Sequence, residues 1–273
     1  MQNKITQAVI LSAGFGTRLK PLTDTMPKVM IPFEGRPLLE WHIEHLKKHG
    51  ITEFFINLFY LPDVVMNYFG DGSKRGVKIH YAKEEPEILG TAGGMKNFSA
   101  DLPAEASAQA GGGSPPDGRA GASGGDGTLG ENFFLIYGDI FSLVDYSRLA
   151  EIYLQKPQPN LGMELIRETD HPKDSDLVEL DSEMRFKKIY RKPHAKLPAT
   201  NKGMSGIFIF SNRILKYIPP KTYYEIDHQL LPEILGKGEI FYGCEPSPTD
   251  FWKDVGTMER YEKVQEYLKN LKK

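Results

Sequence analysis

Cysteine is nearly missing from this sequence: Cys244 stands alone among 273 residues, so no disulfide can form within the chain. A reducing, cytoplasmic setting is expected on that ground. Long apolar runs are missing as well. No stretch reaches the roughly 20 residues needed to cross a bilayer, and the N-terminus lacks the apolar core of a secretory leader, so no membrane role is expected. Neither sign of charge is in excess: 34 Lys and Arg stand against 36 Asp and Glu. The net charge of −2 argues against a protein whose main task is to coat nucleic acid. What remains is ordinary globular material, 40% hydrophobic and 26% charged, and long enough to bury a real core.

The first half alternates strand and helix patterns. Ala8-Val9-Ile10-Leu11 is a short apolar run that ends in Ser-Ala-Gly, which suits a buried strand feeding a turn. From Pro37 to Lys48 an apolar face of Leu38, Leu39, Trp41, Ile43 and Leu46 predicts a helix closed by Gly50. Residues 53–58 read as a strand, 62–69 as a helix ended by Gly70, and 77–82 as a third strand. This β-α-β-α-β order implies parallel strands with right-handed crossovers and helices on both faces of the sheet. The fold class expected is three-layer α/β/α.

From Ser99 to Gly130 the composition falls to Ala, Gly, Ser and Pro. Such a segment cannot bury enough apolar surface to offset its ordering, and 104–130 is expected to be a disordered low-complexity insertion. It enters the N-terminal end of the next strand, Phe133–Tyr137, whereas ligands of open α/β sheets bind beyond the C-terminal strand ends. The insertion therefore belongs on the side away from the chemistry. Beyond it, strands are predicted at 161–167, 177–180, 186–190 and 204–210. Helices are predicted near 147–155, 227–235 and 257–273. These strands read as a mixed extension of the same sheet, giving one domain over 1–273 with two lobes.

The chemistry begins at Gly14-Phe15-Gly16-Thr17-Arg18-Leu19-Lys20-Pro21-Leu22-Thr23, with Pro27-Lys28 close behind. Two glycines let backbone N–H groups approach an anion. Arg18 adds a planar fork of donors and Lys28 a compact positive charge, both suited to phosphate. A dinucleotide fingerprint would need a third glycine where Leu19 stands and an acid at the end of the second strand, which instead closes with Asn57-Leu58. No G-x-x-x-x-G-K-[ST] is present either. Farther on, Asp139 follows a strand end in Tyr137-Gly138-Asp139, and Asp254 sits in Trp252-Lys253-Asp254-Val255-Gly256-Thr257. Two aspartates converging beside a phosphate loop would hold Mg²⁺, which takes one or two carboxylates plus substrate phosphates. Taken singly, each aspartate is also an ordinary turn or N-cap residue.

Together these stretches resemble the sugar-1-phosphate nucleotidylyltransferases. The signature G-x-G-T-R-L-x-P-L-T followed by P-K is matched from Gly14 to Lys28. Leu89–Gly94, "LGTAGG", resembles the base- and sugar-contacting loop, and Gly138-Asp139 and Trp252–Thr257 resemble the two metal-aspartate motifs. The resemblance implies a Rossmann-like nucleotidyltransferase fold with a mixed, mainly parallel central sheet. It also implies transfer of a nucleotidyl group from an NTP to a sugar 1-phosphate, with release of pyrophosphate. Arg18, Lys28, Asp139, Lys192 and Asp254 would carry the reaction, and Asp139 and Asp254 would bind Mg²⁺. The nucleotide would meet Leu11, Ala13, Gly14, Gly16, Thr17, Arg18, Glu85, Gly90 and Thr91. The sugar would meet Gly138, Lys192, Asn201, Gly206 and Trp252. In the motif that supplies Lys192 the family has a glutamate where this chain has Arg191, which reads first as a surface arginine and second as a residue that would favour an acidic substituent on the sugar.

The partners expected are thus small molecules, an NTP and a sugar 1-phosphate, and a homo-oligomer is left open. GTP with mannose 1-phosphate is the first expectation. UTP with an amino-sugar or muramic-acid 1-phosphate is the second, and a glucose 1-phosphate thymidylyl- or uridylyltransferase the third. A non-catalytic, sugar-nucleotide-binding regulator is the competing class, although such a protein would be expected to lose one of Arg18, Lys28, Asp139 and Asp254. Three histidines at helical spacing, His42, His45 and His49, read as a polar helix edge and not a zinc set, since no carboxylate or cysteine completes it. Cys244 reads as a small buried apolar residue.

Overall fold

The computed structural model describes residues 4–99, 127–169 and 171–271. Its first half runs β1 (Gln7–Leu11), a small hairpin of β2 (Pro32–Phe33) and β3 (Arg36–Pro37), α1 (Leu38–Lys48), β4 (Glu53–Leu58), α2 (Pro62–Phe69), β5 (Lys78–Lys83), α3 (Gly90–Lys96) and β6 (Asn132–Tyr137). Then come β7 (Ile140–Leu143), α4 (Tyr146–Leu154), β8 (Gly162–Glu168), β9 (Leu177–Leu180), β10 (Phe186–Tyr190) and β11 (Lys202–Ser211). A π-helical turn at Ile226–Leu230 leads into α5 (Leu231–Gly236), followed by β12 (Phe241–Cys244), β13 (Phe251–Asp254) and α6 (Met258–Leu271).

One sheet is ordered β10-β9-β11-β6-β1-β4-β5, with β8 also on β11 and β12 on β8. β5, β4, β1 and β6 are parallel neighbours, and β12 is parallel to β8. β11 is antiparallel to β6, β8 and β9, and β10 is antiparallel to β9. Only β10 and β11 therefore oppose the common direction, and the sheet is mixed but mainly parallel. Strand geometry sends alternate side chains to opposite faces. Ala8, Ile10, Phe54, Ile56, Phe134 and Ile136 pack with Leu39 and Ile43 of α1, Val65 of α2 and Leu149 of α4. Val9, Phe55, Phe133 and Leu135 pack on the other face with Ala92 and Met95 of α3 and Leu231 and Ile234 of α5. Each Val, Leu, Ile, Met or Phe side chain among them contributes about 1.5–3 kcal/mol of apolar transfer. A third cluster of Leu19, Ile31, Phe33, Leu38, Phe141, Val255, Val264 and Leu268 clamps the N-terminal loop to β7, β13 and α6.

Three readings need correction. Of the expected insertion, residues 104–126 lie outside the described residues, but 127–130 are docked. Leu129 is buried and its N–H donates to the Phe98 carbonyl (3.2 Å), while the Gly130 N–H donates to Gln7 Oε1 (2.6 Å). One apolar anchor in a glycine-rich run is invisible to composition, yet it suffices here. It sits at the N-terminal end of β1, the side that the topology predicts. Leu89–Gly94, read as a loop, mostly forms the start of α3, whose Ala92 and Gly93 N–H groups both donate to the Tyr224 carbonyl (2.9 and 3.0 Å). And His42 is not on a polar edge. It continues the stripe of Leu38, Leu39, Ile43 and Leu46 that faces the core, and its ring lies beside the backbone of Gly138.

Burial lowers the His42 pKa to about 4. A folded-state value below the unfolded one means that the unfolded chain takes up a proton first as pH falls. His42 should therefore cost the fold up to roughly 3 kcal/mol between about pH 6.5 and pH 4. Chemical denaturation at pH 7 and pH 4.5 should show a larger loss of stability in the wild type than in His42→Leu. Equal losses would mean that the imidazole titrates in the fold as it does in water.

Candidate active site

Two cavities, of about 450 and 350 Å³, adjoin at the C-terminal ends of β1 and β6, and Arg18, Tyr137 and Asp139 stand in the walls of both. The loop leaving β1 builds the first. Gly14 points into open space, while Gly16 has φ +65° in the left-handed region. Its carbonyl accepts from Thr23 Oγ1 (2.9 Å), which folds the loop back on itself. The next segment delivers Lys28, whose side chain is only 11% exposed and whose Nζ lies 2.7 Å from Asp139 Oδ2.

Asp139 reaches that place because β6 ends level with β1. Leu11 pairs with Tyr137, and the Gly138 N–H donates to the Leu11 carbonyl (2.9 Å). A Cβ on Gly138 would stand 2.5 Å from that carbonyl oxygen, so only glycine fits. Gly138 therefore sets the corner and is in neither wall. Behind it a buried polar chain ties three strand ends together. Asn57 Oδ1 accepts from the Ser12 N–H (2.7 Å), Asn57 Nδ2 donates to Glu84 Oε1 (2.7 Å), and Glu84 Oε2 accepts from the Leu89 N–H (2.7 Å). Burial pushes the Glu84 carboxyl up from its ordinary range.

Asp254 comes from the other end of the chain. β13 pairs antiparallel with β7, Asp254 faces Ile140, and the Val255 N–H donates to the Asp139 carbonyl (2.9 Å). Asp254 Oδ1 accepts from the Gly256 N–H (2.5 Å), and Oδ2 pairs with Arg260 of α6. Both aspartates thus line the second cavity, with Arg18, Lys192, Gly206 and Trp252. Trp252 is buried beneath the guanidinium of Arg167, 4.5 Å from its ring centre. Lys192 Nζ donates to the Asp174 carbonyl (3.1 Å).

Of the residues expected to meet a nucleotide, Leu11, Ala13, Gly14, Gly16, Thr17, Arg18, Gly90 and Thr91 line the first cavity. Glu85 does not. It is exposed, and its neighbour Glu84 is the one turned inward, held by Asn57 and Leu89. Asn201 is exposed too and lines neither cavity; its carbonyl accepts from the Thr169 N–H (2.9 Å). Other wall residues carry no signal at the level of motifs: Tyr223 and Glu225 in the first cavity, Arg167, Asp176, Asp227 and Arg260 in the second. Asn57 and Tyr137 did carry one, since both end strands that point at the loop.

The donor set suits a hard divalent cation. Two half-exposed carboxylates face one cavity, each balanced by a side-chain cation, Lys28 or Arg260. Among the described residues no cluster of three or more ligating side chains exists. An ion here would thus take its remaining ligands from phosphate oxygens and water, as Mg²⁺ does.

A family model described as "Nucleotidyl transferase" matches residues 7–270. A mannose-1-phosphate guanylyltransferase of Mycobacterium tuberculosis is 28% identical over 93% of this chain and 62% of its own length. The N-acetylmuramate alpha-1-phosphate uridylyltransferase of Neisseria meningitidis is 29% identical over 95% of this chain and 96% of its own. The chain spans about three fifths of the length of the first curated relatives it matches. Among solved structures, HddC from Yersinia pseudotuberculosis superposes with a TM-score of 0.70 at 22% identity, over 97% of this chain and all of that one, a likeness of fold.

The Lys28–Asp139 pair generates an asymmetry that thermal denaturation can read. Asp139→Asn strands a buried ammonium and should cost about 2 kcal/mol, less than a wholly buried pair because Asp139 is 38% exposed. Lys28→Met removes the buried charge and should leave the melting temperature unchanged or higher. Equal losses in both variants would contradict this reading.

Proposed function

The chain belongs to the nucleotidyl transferase family, and on that premise we propose that it transfers a nucleotidyl group from an NTP to a sugar 1-phosphate. One observation carries the reading: the loop cavity and the second cavity adjoin at Arg18, Tyr137 and Asp139, as two substrates reacting end to end require. A phosphate oxygen of the sugar 1-phosphate attacks the α-phosphorus, the bond from that phosphorus to the β-phosphate oxygen breaks, and pyrophosphate leaves. The nucleophile is a phosphate monoester with a second pKa near 6, already largely dianionic at neutral pH, so no general base is needed. The chain's work is alignment and charge neutralisation.

In this reading the backbone of Gly14–Thr17 cradles the triphosphate. Arg18 and Lys28 hold the departing pyrophosphate, and Lys192 the incoming sugar phosphate. Lys28 gives up Asp139 when the substrates arrive, which frees both the ammonium and the carboxylate. Asp139 and Asp254 would then hold Mg²⁺, which supplies charge neutralisation and a template for the phosphates when bound.

GTP with mannose 1-phosphate is the first substrate pair we propose, supported by the guanylyltransferase relatives. UTP with an N-acetylmuramic-acid 1-phosphate is the second. It is supported by the uridylyltransferase relative and by Arg167, a planar cation stacked on Trp252 in the second cavity and suited to a carboxylate substituent on the sugar.

A matrix of NTPs against sugar 1-phosphates, scored by pyrophosphate release with and without Mg²⁺, tests all of this. One of the two pairs should turn over, and Asp139→Asn and Asp254→Asn should each lower kcat by roughly 10²–10³. Undiminished turnover in both variants would sink the metal assignment. Silence across the matrix would favour a binding protein without catalysis.

A further inference from the structure

The two cavities meet at Arg18, Tyr137 and Asp139, and a second connection between them runs through side chains. His228, in the π-helical turn, has an acid on either side of its ring. Nε2 lies 3.0 Å from Asp176 Oδ2, and Nδ1 lies 3.0 Å from Glu225 Oε2. Asp176 lines the second cavity and Glu225 the first.

Each acid is also tied to a residue of its own cavity. Asp176 Oδ1 accepts from the Lys192 N–H (2.9 Å), so the carboxylate that meets the ring also holds the backbone of Lys192. Glu225 Oε1 accepts from the Tyr223 hydroxyl (2.7 Å), and the following N–H, that of Ile226, donates to Thr91 Oγ1 (2.8 Å). Lys192 lines the second cavity, and Tyr223 and Thr91 line the first. A single chain of hydrogen bonds, Lys192–Asp176–His228–Glu225–Tyr223, thus runs from one wall to the other.

Pairs of this kind near a surface add little to stability, because water screens them and the side chains lose freedom. Their effect here is on position. Asp176 and Lys192 bracket the hairpin of β9 and β10, which ends the sheet, and β9 meets β11 through the single pair of Leu177 with Gly203. The segment 223–226 is held instead by the start of α3, where the Tyr224 N–H donates to the Leu89 carbonyl (2.8 Å). His228 therefore joins an edge hairpin to a segment anchored on the sheet's other helical layer.

We propose that His228 is a positioning residue that ties the sugar-phosphate wall to the nucleotide wall, through Asp176 and Lys192 on one side and Glu225 and Tyr223 on the other. It touches no reacting atom. The assignment of one substrate to each wall rests on the transferase reading above; the bridge itself does not.

Two amide substitutions cut the bridge at opposite ends. The Gln amide ends at about the height of Nε2, so His228→Gln keeps Asp176 and releases Glu225. The shorter Asn ends near Nδ1, so His228→Asn keeps Glu225 and releases Asp176. With the substrate pair found by the matrix, His228→Asn should raise KM for the sugar phosphate about tenfold, the equivalent of one hydrogen bond, and leave KM for the NTP within about twofold. His228→Gln should do the reverse, and His228→Ala should raise both. In all three kcat should stay within about threefold of wild type, since the groups at the reacting phosphates are untouched. KM values that move together in the Asn and Gln variants, or that do not move in His228→Ala, would overturn the proposal.

Amide hydrogen exchange followed by NMR reads the same bridge without substrate. Exchange at Lys192 should quicken about tenfold in His228→Asn and stay as in wild type in His228→Gln, and the opposite should hold at Ile226. Wild-type exchange at both positions in His228→Ala would overturn the bridge. A silent matrix would count against the transferase reading and leave the bridge to be decided by exchange.

Discussion

Leu11 lies beside Tyr137 across two parallel strands, and where those strands end the Leu11 carbonyl receives the N–H of Gly138. The approach is so close that no side chain could stand at Gly138. Much of the site depends on this contact. It brings two loops out of the sheet at one level, one carrying Gly14, Gly16 and Arg18 and the other carrying Asp139. It also sets the height at which Lys28 meets Asp139, and the Asp139 carbonyl in turn receives the Val255 N–H that brings in Asp254. Residues 18, 28, 139 and 254 are thus held together by backbone geometry before any of their charges act.

The charges are arranged as pairs: Lys28 covers Asp139 and Arg260 covers Asp254. In the proposed reaction, phosphates and a cation arriving together would exchange with these internal pairs without leaving any group alone. Beneath them the polar chain from Ser12 through Asn57 and Glu84 to Leu89 fixes the floor. The cluster of Leu19, Phe33, Phe141, Val255 and Val264 fixes the N-terminal loop against the last helix. A preorganised site needs both, because dipoles aimed at developing charge help only if they do not have to move.

Much of this was legible in the residues themselves. The strands β1 and β4, the helices α1 and α2, and the placement of Asp139 beside Gly14–Arg18 follow from periodicity and from the rule that ligands sit beyond C-terminal strand ends. What escaped did so for physical reasons. β7 pairs with β13 and β12 with β8, tertiary pairings that no local run announces. His42 has a polar type but a core spacing, in step with Leu39 and Leu46. Motif position does not tell which of two adjacent acids, Glu84 or Glu85, turns inward. Tyr223, Asp227 and Arg260 reach their cavities only through tertiary packing, and neither local pattern nor propensity reports that.

The central claim is that a sugar phosphate in the second cavity attacks a nucleotide held in the first. Sugar 1-phosphate labelled with ³²P, incubated with each NTP and then treated with phosphatase, measures this directly. The account predicts that with one NTP the label becomes resistant to phosphatase, because it now lies between sugar and nucleoside as the β-phosphate of an NDP-sugar. Label that stays fully sensitive with every NTP and every sugar phosphate supplied would contradict it.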